Sequence, residues 1–537
     1  MQIIERVKRV FKHHPVRQSI DQEIRQMAKA VSKAAPKMDD PPVIVSFNAS
    51  TRISGMSLNA AFALLAGWSL RLQGVRVVNF VCQRGMSRCV LGTDREDVYK
   101  MPPCQKCMIQ SYTLYHHLEV ARLTGYSLPE LAEEIENANL ETLQDFNYHH
   151  MPLGRLCLPS IRWILRRHHL NDDEPTRVLY RHYILSAYHV AREFDALLNQ
   201  VKPLSVLVFN GMQYPEAAAR WVAQKHGLPV YTHEVGMQPY SAFFTEGEAT
   251  AYPVDIPEGF HLTPEQNQHL DDYLSKRFKG DFSMAGIAFW PDMQGLSDTI
   301  LQKIGEFQQV VPIFTNVIFD TSQPHANTLF SDMFTWLDGV LAVIKANPET
   351  LFVIRAHPDE SRPGKVSQES VTDWVQKRDV ESLPNVLFVG PDSYFSSYEM
   401  IQRAKFVMIY NSTIGMEASI MGAPVLCAGK ARFTQLDTVF YPKSKQHYFE
   451  KLEEFLTAEK VEAPDVHQVN ARRFLYYQLF KTSLPFDRYL EQDKVWPGFV
   501  RLKSFSVQDL YPEHSTTLKV ISEGLLHDEP FVLPDQN

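Results

Sequence analysis

Three consecutive polar residues, Asn411, Ser412 and Thr413, give the strongest chemical signal in the chain. They directly follow residues 406–410, an apolar run with the composition of a buried parallel strand. Such residues often precede a helix, where backbone N–H groups and side-chain hydroxyls can bind an anion. Glu417 lies one helical turn after Thr413, where its carboxylate could accept hydrogen bonds from both hydroxyls of a ribose. The pattern therefore predicts a site for a nucleotide and its phosphate.

A simpler interpretation is that the three polar residues only cap a helix and that Glu417 is a solvated acid in its first turn. A second strand pattern, residues 351–355, ends directly before His357 and Pro358. Ligands of open α/β sheets bind beyond the carboxyl ends of the strands, so both polar clusters would face one crevice. Pro358 keeps the backbone after His357 out of a helix and presents the imidazole at the strand end. We therefore favour a binding site.

Strand and helix patterns alternate in two separate regions of the chain. The strands predicted in the first region are residues 43–47, 75–81, 205–209 and 230–233. Those predicted in the second region are residues 310–314, 351–355, 386–389 and 406–410. This alternation is typical of α/β proteins with doubly wound parallel sheets. We expect an α/β fold in which polar residues at strand ends form the functional site.

The same patterns divide the chain into four predicted segments. These are a basic amphipathic helical lead at 1–40, an N-terminal α/β domain at 41–285 with a helical insertion at about 110–200, a C-terminal α/β domain at 286–445, and a C-terminal helical segment at 446–537 that packs back across the domains. The lead has one apolar face beside basic residues. It could lie on an anionic membrane surface, or it could pack on its own domain.

Composition excludes several classes of protein. The chain has 537 residues, which favours more than one domain, and its net charge of −8 argues against a dedicated nucleic-acid binder. The first residues lack the apolar core of a secretory signal peptide, and the longest weakly polar run, 58–70, is too short to span a bilayer. Six cysteines are few for this length and suit a reducing compartment. We expect a cytoplasmic protein, with possible peripheral contact at the cytoplasmic face of the inner membrane.

The order of the motifs resembles the bacterial capsule polysaccharide biosynthesis proteins. The resemblance is carried by TNVIFD at 315–320, RAHP at 355–358, NSTIGMEASIMGAPVLCAGKARF at 411–433 and ARRFLYYQLFKTSLPF at 471–486. It is close over residues 310–435 and looser over 205–485. It implies a GT-B-like fold, with two Rossmann-like doubly wound domains facing a central cleft. It also implies a glycosyltransferase of the Kdo-transferase type, acting on a surface polysaccharide or its lipid-linked precursor.

The resemblance also implies a donor site for a nucleotide sugar, with a CMP-, UDP- or GDP-linked donor unresolved. His357 and Pro358 would contact the nucleotide, and Glu417 the ribose or base. Ser412 and Thr413 would bind the phosphate. The remaining donor-site residues that it implies are Asn316, Asp320 and Asn411. Sugar transfer breaks a bond between carbon and phosphate, so hydroxyls, N–H donors and a cationic His357 would stabilise the departing charge.

A base must also deprotonate the acceptor hydroxyl. In such a cleft it should come from the first domain, where we choose Glu234 with His233 beside it, although a purely structural carboxylate is an alternative. The sequence contains no D-x-D, Walker A or G-x-G-x-x-G motif. It therefore disfavours metal-dependent GT-A enzymes, P-loop NTPases and Rossmann dehydrogenases. Two rival functions stay open: a polyol-phosphate transferase of the teichoic-acid type, and a degenerate GT-B protein that binds a nucleotide sugar or glycan without turnover.

Four of the six cysteines lie within a short interval of the first domain. They are Cys82, Cys89, Cys104 and Cys107. Four thiolates can hold a structural Zn²⁺ in a tetrahedral site, and an iron–sulfur cluster would use the same ligands. The first spacing, C-x6-C, is wider than that of a usual zinc knuckle. Free buried thiols are the alternative.

Overall fold

The computed structural model describes residues 21–49, 53–278, 295–393, 395–493 and 498–535, with the backbone of residues 283–284 and 287–288. The first part of the chain contains α1 (21–34), β1 (Val43–Asn48), α2 (Leu58–Leu72), β2 (Arg76–Cys82), α3 (Cys104–Leu114), β3 (Glu119–Leu123), α4 (Pro129–Ile135), α5 (Leu140–Gln144), α6 (Leu153–Leu165), α7 (Glu174–Val201), β4 (Ser205–Phe209), α8 (Tyr214–Lys225), β5 (Val230–Val235) and β6 (Ser241–Glu246).

The connection and the second part follow. They contain α9 (Pro264–Arg277), β7 (Ser283–Met284), β8 (Ile287–Ala288), α10 (Asp298–Gly305), β9 (Gln309–Phe314), α11 (Gln323–Ala326), α12 (Met333–Ala346), β10 (Thr350–Arg355), α13 (Val371–Lys377), β11 (Val386–Val389), α14 (Ser397–Arg403), β12 (Val407–Ile409), α15 (Ile414–Ile420) and β13 (Val425–Cys427). The remaining elements are α16 (Lys445–Thr457), α17 (Asp465–Phe480), β14 (Leu484–Pro485), β15 (Leu490–Gln492), β16 (Val500–Leu502) and α18 (Thr516–His527).

The first unit is built on a seven-stranded sheet in the order β14–β6–β5–β4–β1–β2–β3. Strands β1 to β5 run parallel, whereas β6 and β14 are antiparallel to their neighbours. The predicted helical insertion begins later than expected, because residues 119–123 form the edge strand β3 before α4 to α7 follow. This short strand is half-exposed, and its charged residues Glu119 and Arg122 interrupt any apolar run, so the sequence does not predict it.

The second unit has a five-stranded parallel sheet in the order β11–β10–β9–β12–β13. All six residues of β10 are buried, as is typical of a parallel strand covered by helices on both faces. The strand order reverses between β9 and β12, which is where open α/β sheets bind ligands. Two Rossmann-like units with a cleft between them confirm the GT-B-like α/β fold expected from the sequence.

The ends of the described chain pack on the first unit. Ile24, Ala28 and Val31 of α1 are buried in its core, so this part of the predicted lead packs on its own domain. Residues 1–20, where most of the basic amphipathic pattern falls, lie outside the described residues. Helix α17 packs against α15 of the second unit, and the chain then returns to the first sheet through β14. Within the described residues, no helix is both long and apolar enough to cross a bilayer.

Candidate functional site

Loops after three adjacent strands of the second sheet meet in one cavity of about 500 Å³. Strand β9 lies between β10 and β12, so the segments that follow these strands are neighbours. The structure brings six of the predicted donor-site residues into the lining of this cavity. They are Asn316, Asp320, His357, Asn411, Ser412 and Thr413. These residues are far apart in sequence, and the order of the strands in the sheet brings them together.

Hydrogen bonds between the loops fix their relative positions. The backbone N–H of Asn411 donates to Oδ1 of Asn316 over 3.2 Å. The side chain of Gln323 donates to Oδ1 of Asn411 over 3.4 Å. Oδ1 of Asp320 accepts from the backbone N–H of Ser322 over 3.0 Å, and Asp320 lines the cavity. Asn316 therefore positions the polar segment after β12.

The hydroxyls of Ser412 and Thr413 are not used to cap α15. Thr413 occupies the cap position, but its side chain accepts no backbone hydrogen bond there. Within the described part of the chain, neither hydroxyl has a hydrogen-bond partner. Glu417 is only 2% exposed, so it is not a solvated acid. Both halves of the simpler interpretation are therefore wrong, and the two hydroxyls are available to a ligand.

His357 presents a neutral imidazole with its proton on one defined nitrogen. The backbone N–H of Asp359 donates to Nδ1 over 3.1 Å, so the proton of the neutral ring is on Nε2. Burial lowers the pKa of His357, and this outweighs the opposite effect of Asp359 and Asp320. The cationic His357 expected from the sequence is thus not the form that this environment favours. A ring with Nε2–H still donates one hydrogen bond to an anion.

Glu417 is held by two partners beside a second, smaller cavity. Arg277 of α9 and the hydroxyl of Tyr398 contact its two carboxylate oxygens, at 2.5 and 2.6 Å. This cavity has a volume of about 150 Å³, and its lining includes Pro358, Ser412, Thr413 and Glu417. Pro358 therefore lies at the smaller cavity, and Ser412 and Thr413 border both. Each oxygen of Glu417 already has a protein partner. A hydrogen bond from a ribose to Glu417 stays a prediction.

Three cations that were not predicted also line the larger cavity. They are Arg277, Lys430 and Arg432. Lys430 and Arg432 follow β13, so the rule that located the other residues at strand ends would have found them. Arg432 also stacks on the ring of Tyr252, at 4.1 Å from the centroid. Arg277 lies at the end of helix α9 in the connection, and no sequence pattern there indicates a ligand-binding residue.

The first unit supplies the opposite wall of the cavity. Met237, Thr250 and Ala251 line it from segments near β5 and β6. The hydroxyl of Thr250 lies 2.9 Å from Nε2 of His325 in α11, and Glu248 pairs with the other ring nitrogen at 3.3 Å. The cavity therefore lies between the two units.

Neither of the predicted catalytic residues of the first unit lines this cavity. Burial raises the pKa of Glu234, and its carboxylate accepts from Asn210 over 2.8 Å and from Asn59 over 3.2 Å. Asp320 is close enough to contribute to the raised pKa, so Glu234 lies near the cavity without facing it. The prediction for His233 is corrected. Its ring is 1% exposed and stacks on Phe244 in the core, and burial lowers its pKa to about 3.

The four clustered cysteines lie elsewhere in the first unit, at the carboxyl end of β2. They line a separate small cavity and form no disulfide. In the described residues, only His168, His169 and Asp332 form a group of three metal-ligand types whose ligand atoms all lie within 4.8 Å. That group already forms ion pairs between the helical insertion and the second unit.

Comparison with known proteins finds similarity in the part of the chain that carries the cavity. Residues 294–437 match the family described as "Capsule polysaccharide biosynthesis protein". Over 240 residues the chain is 29% identical to Protein FixF of Sinorhizobium fredii (strain NBRC 101917 / NGR234), covering 44% of this chain and 51% of that protein. The chain thus spans about half the length of this curated relative.

Two solved structures illustrate more distant similarity. Thermosulfurimonas dismutans KpsC, beta Kdo 2,4 transferase, has a TM-score of 0.35 and 14% identity, covering 52% of this chain and 80% of its own. UDP-GlcNAc 2-epimerase from Neisseria meningitidis bound to UDP-GlcNAc has a TM-score of 0.24 and 13% identity, covering 82% and 99%. The family match includes the loops after β9, β10, β12 and β13. The similarity to the capsule polysaccharide biosynthesis proteins therefore lies in this second unit, the part of the chain that carries the cavity.

Proposed function

We propose that this protein is a glycosyltransferase that moves a sugar from a nucleotide-activated donor to a growing surface polysaccharide or its lipid-linked precursor. The observation that carries the proposal is the convergence of six polar residues and three cations on one cavity between the two units. The family match over residues 294–437 supports this substrate class, because the matched region contains most of these residues. The cavity volume of about 500 Å³ is in the range of small-molecule sites.

In this proposal the donor's phosphate lies between the loops after β12 and β13. The hydroxyls of Ser412 and Thr413 would donate hydrogen bonds to its oxygens, and Lys430 and Arg432 would balance its charge. The Nε2–H of His357 would donate from the third side. Charge-assisted hydrogen bonds of this kind are stronger than neutral ones and are most effective where water is excluded. The same groups would stabilise the negative charge on the departing nucleotide.

The cations also bear on how the phosphate charge is neutralised. Lys430 and Arg432 approach the cavity from the second unit, and Arg277 approaches from the connection. Arg277 is already paired with Glu417, so Lys430 and Arg432 would supply the positive charge that a divalent ion would otherwise provide, and we propose a donor site that does not require a metal ion. Activity with and without added Mg²⁺ or Mn²⁺ tests this part.

For the base we propose Asp320 in place of Glu234. Asp320 and Asp359 carry carboxylates at the cavity surface, and Asp320 lies on the loop after β9. Glu234 accepts three hydrogen bonds from Asn210, Asn59 and the N–H of Val235, so its carboxylate is committed within the first unit. In this scheme Glu234 holds the wall near the acceptor, and Asp320 takes the proton of the acceptor hydroxyl.

A thermal-shift screen of the full chain against CMP, CDP, UDP, GDP, ADP and dTDP tests the donor site. We expect one nucleotide to raise the melting temperature, because a ligand that binds only the folded state stabilises it. The double variant Ser412→Ala/Thr413→Ala should lose this shift. The matched control is Ser382→Ala/Thr457→Ala, which removes two exposed hydroxyls of the second unit that bond only to backbone carbonyls.

Turnover is then measured as release of the nucleotide from its sugar conjugate in the presence of a glycan acceptor. Acceptor-dependent release with a glycosidic product supports the proposal. A phosphodiester in the product would instead identify a polyol-phosphate transferase. Nucleotide binding without acceptor-dependent release would indicate a binding protein without turnover.

A further inference from the structure

Four cysteine side chains surround one small cavity in the first unit, on a part of the chain that the proposed reaction does not use. Cys82 ends β2, Cys89 lies in the following loop, and Cys104 and Cys107 lie in the first turn of α3. All four line a cavity of about 20 Å³, which has room for about one water-sized group. Folding thus brings together four of the six thiols of the chain.

Backbone N–H groups point at two of the sulfurs. The N–H of Gly92 donates to Sγ of Cys89 over 3.2 Å. Burial raises the pKa of the Cys82 thiol, and the nearby backbone N–H groups of Gly85, Met86 and Arg84 offset part of this rise. Without a bound cation, burial raises the pKa of Cys82, Cys89 and Cys107 and keeps them as thiols. Sulfur is a better acceptor as a thiolate, so these N–H groups would help to stabilise the thiolates that a metal ion holds. In both cases the glycine stands three residues after the cysteine.

These two glycines are required by close contacts. A Cβ on Gly85 would lie 2.3 Å from the side chain of Leu123 and 2.7 Å from its carbonyl oxygen. A Cβ on Gly92 would lie 2.7 Å from Pro102 and 3.0 Å from Sγ of Cys89. The turns that wrap the two sulfurs could therefore not form with a larger residue. Close packing against Leu123 and Pro102 therefore fixes the turns that follow Cys82 and Cys89.

We propose that Cys82, Cys89, Cys104 and Cys107 bind one metal centre through their thiolates. A zinc ion holds its four sulfurs about 3.8 Å apart, given Zn–S bonds of about 2.3 Å. The four sulfurs here are spread more widely, since no three of them meet the 4.8 Å spacing found at His168, His169 and Asp332 in the described residues. The cavity has room for a single ion, so one zinc ion would draw the four side chains inward, whereas an iron–sulfur cluster would require the surrounding loop to open.

The centre would order the loop between β2 and α3. Residues 83–103 contain no helix or strand, although they are packed within the first unit. Arg95 of this loop donates to the carbonyl of Gly364 in the second unit over 2.6 Å. A long irregular segment in a compact domain needs another source of order, and metal ligation at both of its ends supplies one. The metal would thus stabilise a loop that joins the two units.

The test is elemental analysis and absorption spectroscopy of the full chain purified without oxygen. We expect about one zinc per chain, or iron with acid-labile sulfide and visible absorption, and either result supports a thiolate-held centre. Cys104→Ser/Cys107→Ser should reduce the bound metal at least about tenfold, because structural sites need their full ligand set. Cys157→Ala is the matched control, since it removes a buried thiol of the same unit that lies outside the cavity.

A second measurement on the unmodified chain guards against a variant that does not fold. The four cysteines should resist alkylation until a chelator is added, and they should then react together while residues 83–103 become sensitive to protease. Absence of metal after purification, combined with no uptake on reconstitution with zinc or with ferrous iron and sulfide, would overturn the proposal. Equal alkylation of the four cysteines with and without chelator would do the same.

Discussion

Arg277 and Glu417 form a buried ion pair with 2.5 Å between Nη2 and Oε1. The side chain of Arg277 is 14% exposed and that of Glu417 is 3% exposed. Tyr398 donates to the other oxygen of Glu417, so the carboxylate is satisfied without a ligand. The pair ties helix α9 of the connection to helix α15 behind the polar segment. We infer that the main role of Glu417 is to hold α15, and with it Ser412 and Thr413, in place.

Replacing Glu417 by alanine should destabilise the protein by about 3 to 5 kcal/mol, because it leaves a buried guanidinium without its partner. Tyr398→Phe is the milder comparison and should cost about 1 kcal/mol, since it removes one hydrogen bond. Denaturant unfolding of the two variants and the unmodified protein measures both changes in the free energy of unfolding. If Glu417→Ala kept full stability and only weakened nucleotide binding, the residue would instead contact the ribose directly.

Replacing His357 by alanine should weaken donor affinity or turnover by roughly tenfold or more, because one hydrogen bond to a charged group is worth about 1.5 to 3 kcal/mol. The melting temperature should change little, since His357 is only half-buried at the cavity surface. Titration calorimetry with the nucleotide found in the screen measures the effect. His447→Ala, an exposed histidine of the same unit, is the control. Unchanged affinity and rate would remove His357 from the site.

If Asp320 is the base, replacing it by its amide should slow the reaction more than the same change at Glu234. Asp320→Asn should lower kcat by about 10² or more, because general base catalysis contributes about 10² to 10⁴. Glu234→Gln should lower it less, because Asn210 and Asn59 can still hold the side chain. Steady-state kinetics at saturating donor separates the two. A larger loss for Glu234→Gln would return the role of base to Glu234.

The contact between His169 and the second unit should make stability depend on pH. The carboxylates of Asp332 and then Glu369, which lie beside the two ring nitrogens of His169, raise its pKa from 6.5 to about 10. A raised folded pKa contributes stability that is complete below about pH 6.5 and is lost as the pH rises toward 10. His169→Gln should therefore lower the melting temperature at pH 6 and have little effect at pH 10.

The control for this pair is His226→Gln, which removes an ion pair with Asp195 inside the first unit. Melting temperatures measured from pH 6 to 10 for the three proteins test the assignment. A His169→Gln effect that is the same at both pH values would show that the charge of the imidazole does not contribute.

The donor side of the site could be predicted from sequence because its residues follow buried strands directly. Asn316, His357 and Ser412 each come shortly after an apolar run, and the sheet brings such ends together whatever the loops contain. Lys430 obeys the same rule, because it follows β13. The rule needs no knowledge of side-chain packing.

The first unit was less predictable because packing decides which side chains reach the cleft. His233 and Glu234 are adjacent in β5, so they point to opposite faces of the sheet. On its face of the sheet, His233 packs against Phe62 of α2 and against Phe244, which lies directly opposite it on the neighbouring strand β6, and this places His233 in the core. Arg277 reaches the cavity from a helix that is distant in sequence, and only the packing of α9 reveals it. Neither outcome can be obtained from local patterns.

The return of the chain to its first sheet has a consequence for the order of folding. The core of the first unit includes Ile24 and Phe62 from its beginning together with Leu484, Phe486 and Ile521 from its end. During synthesis, the ribosome completes the second unit before it releases the residues that close this core. Contacts so distant in sequence form slowly, because a long loop must close first. The second unit, with its donor residues, is therefore expected to reach its native structure first, and the earlier half of the chain to wait exposed until it is completed.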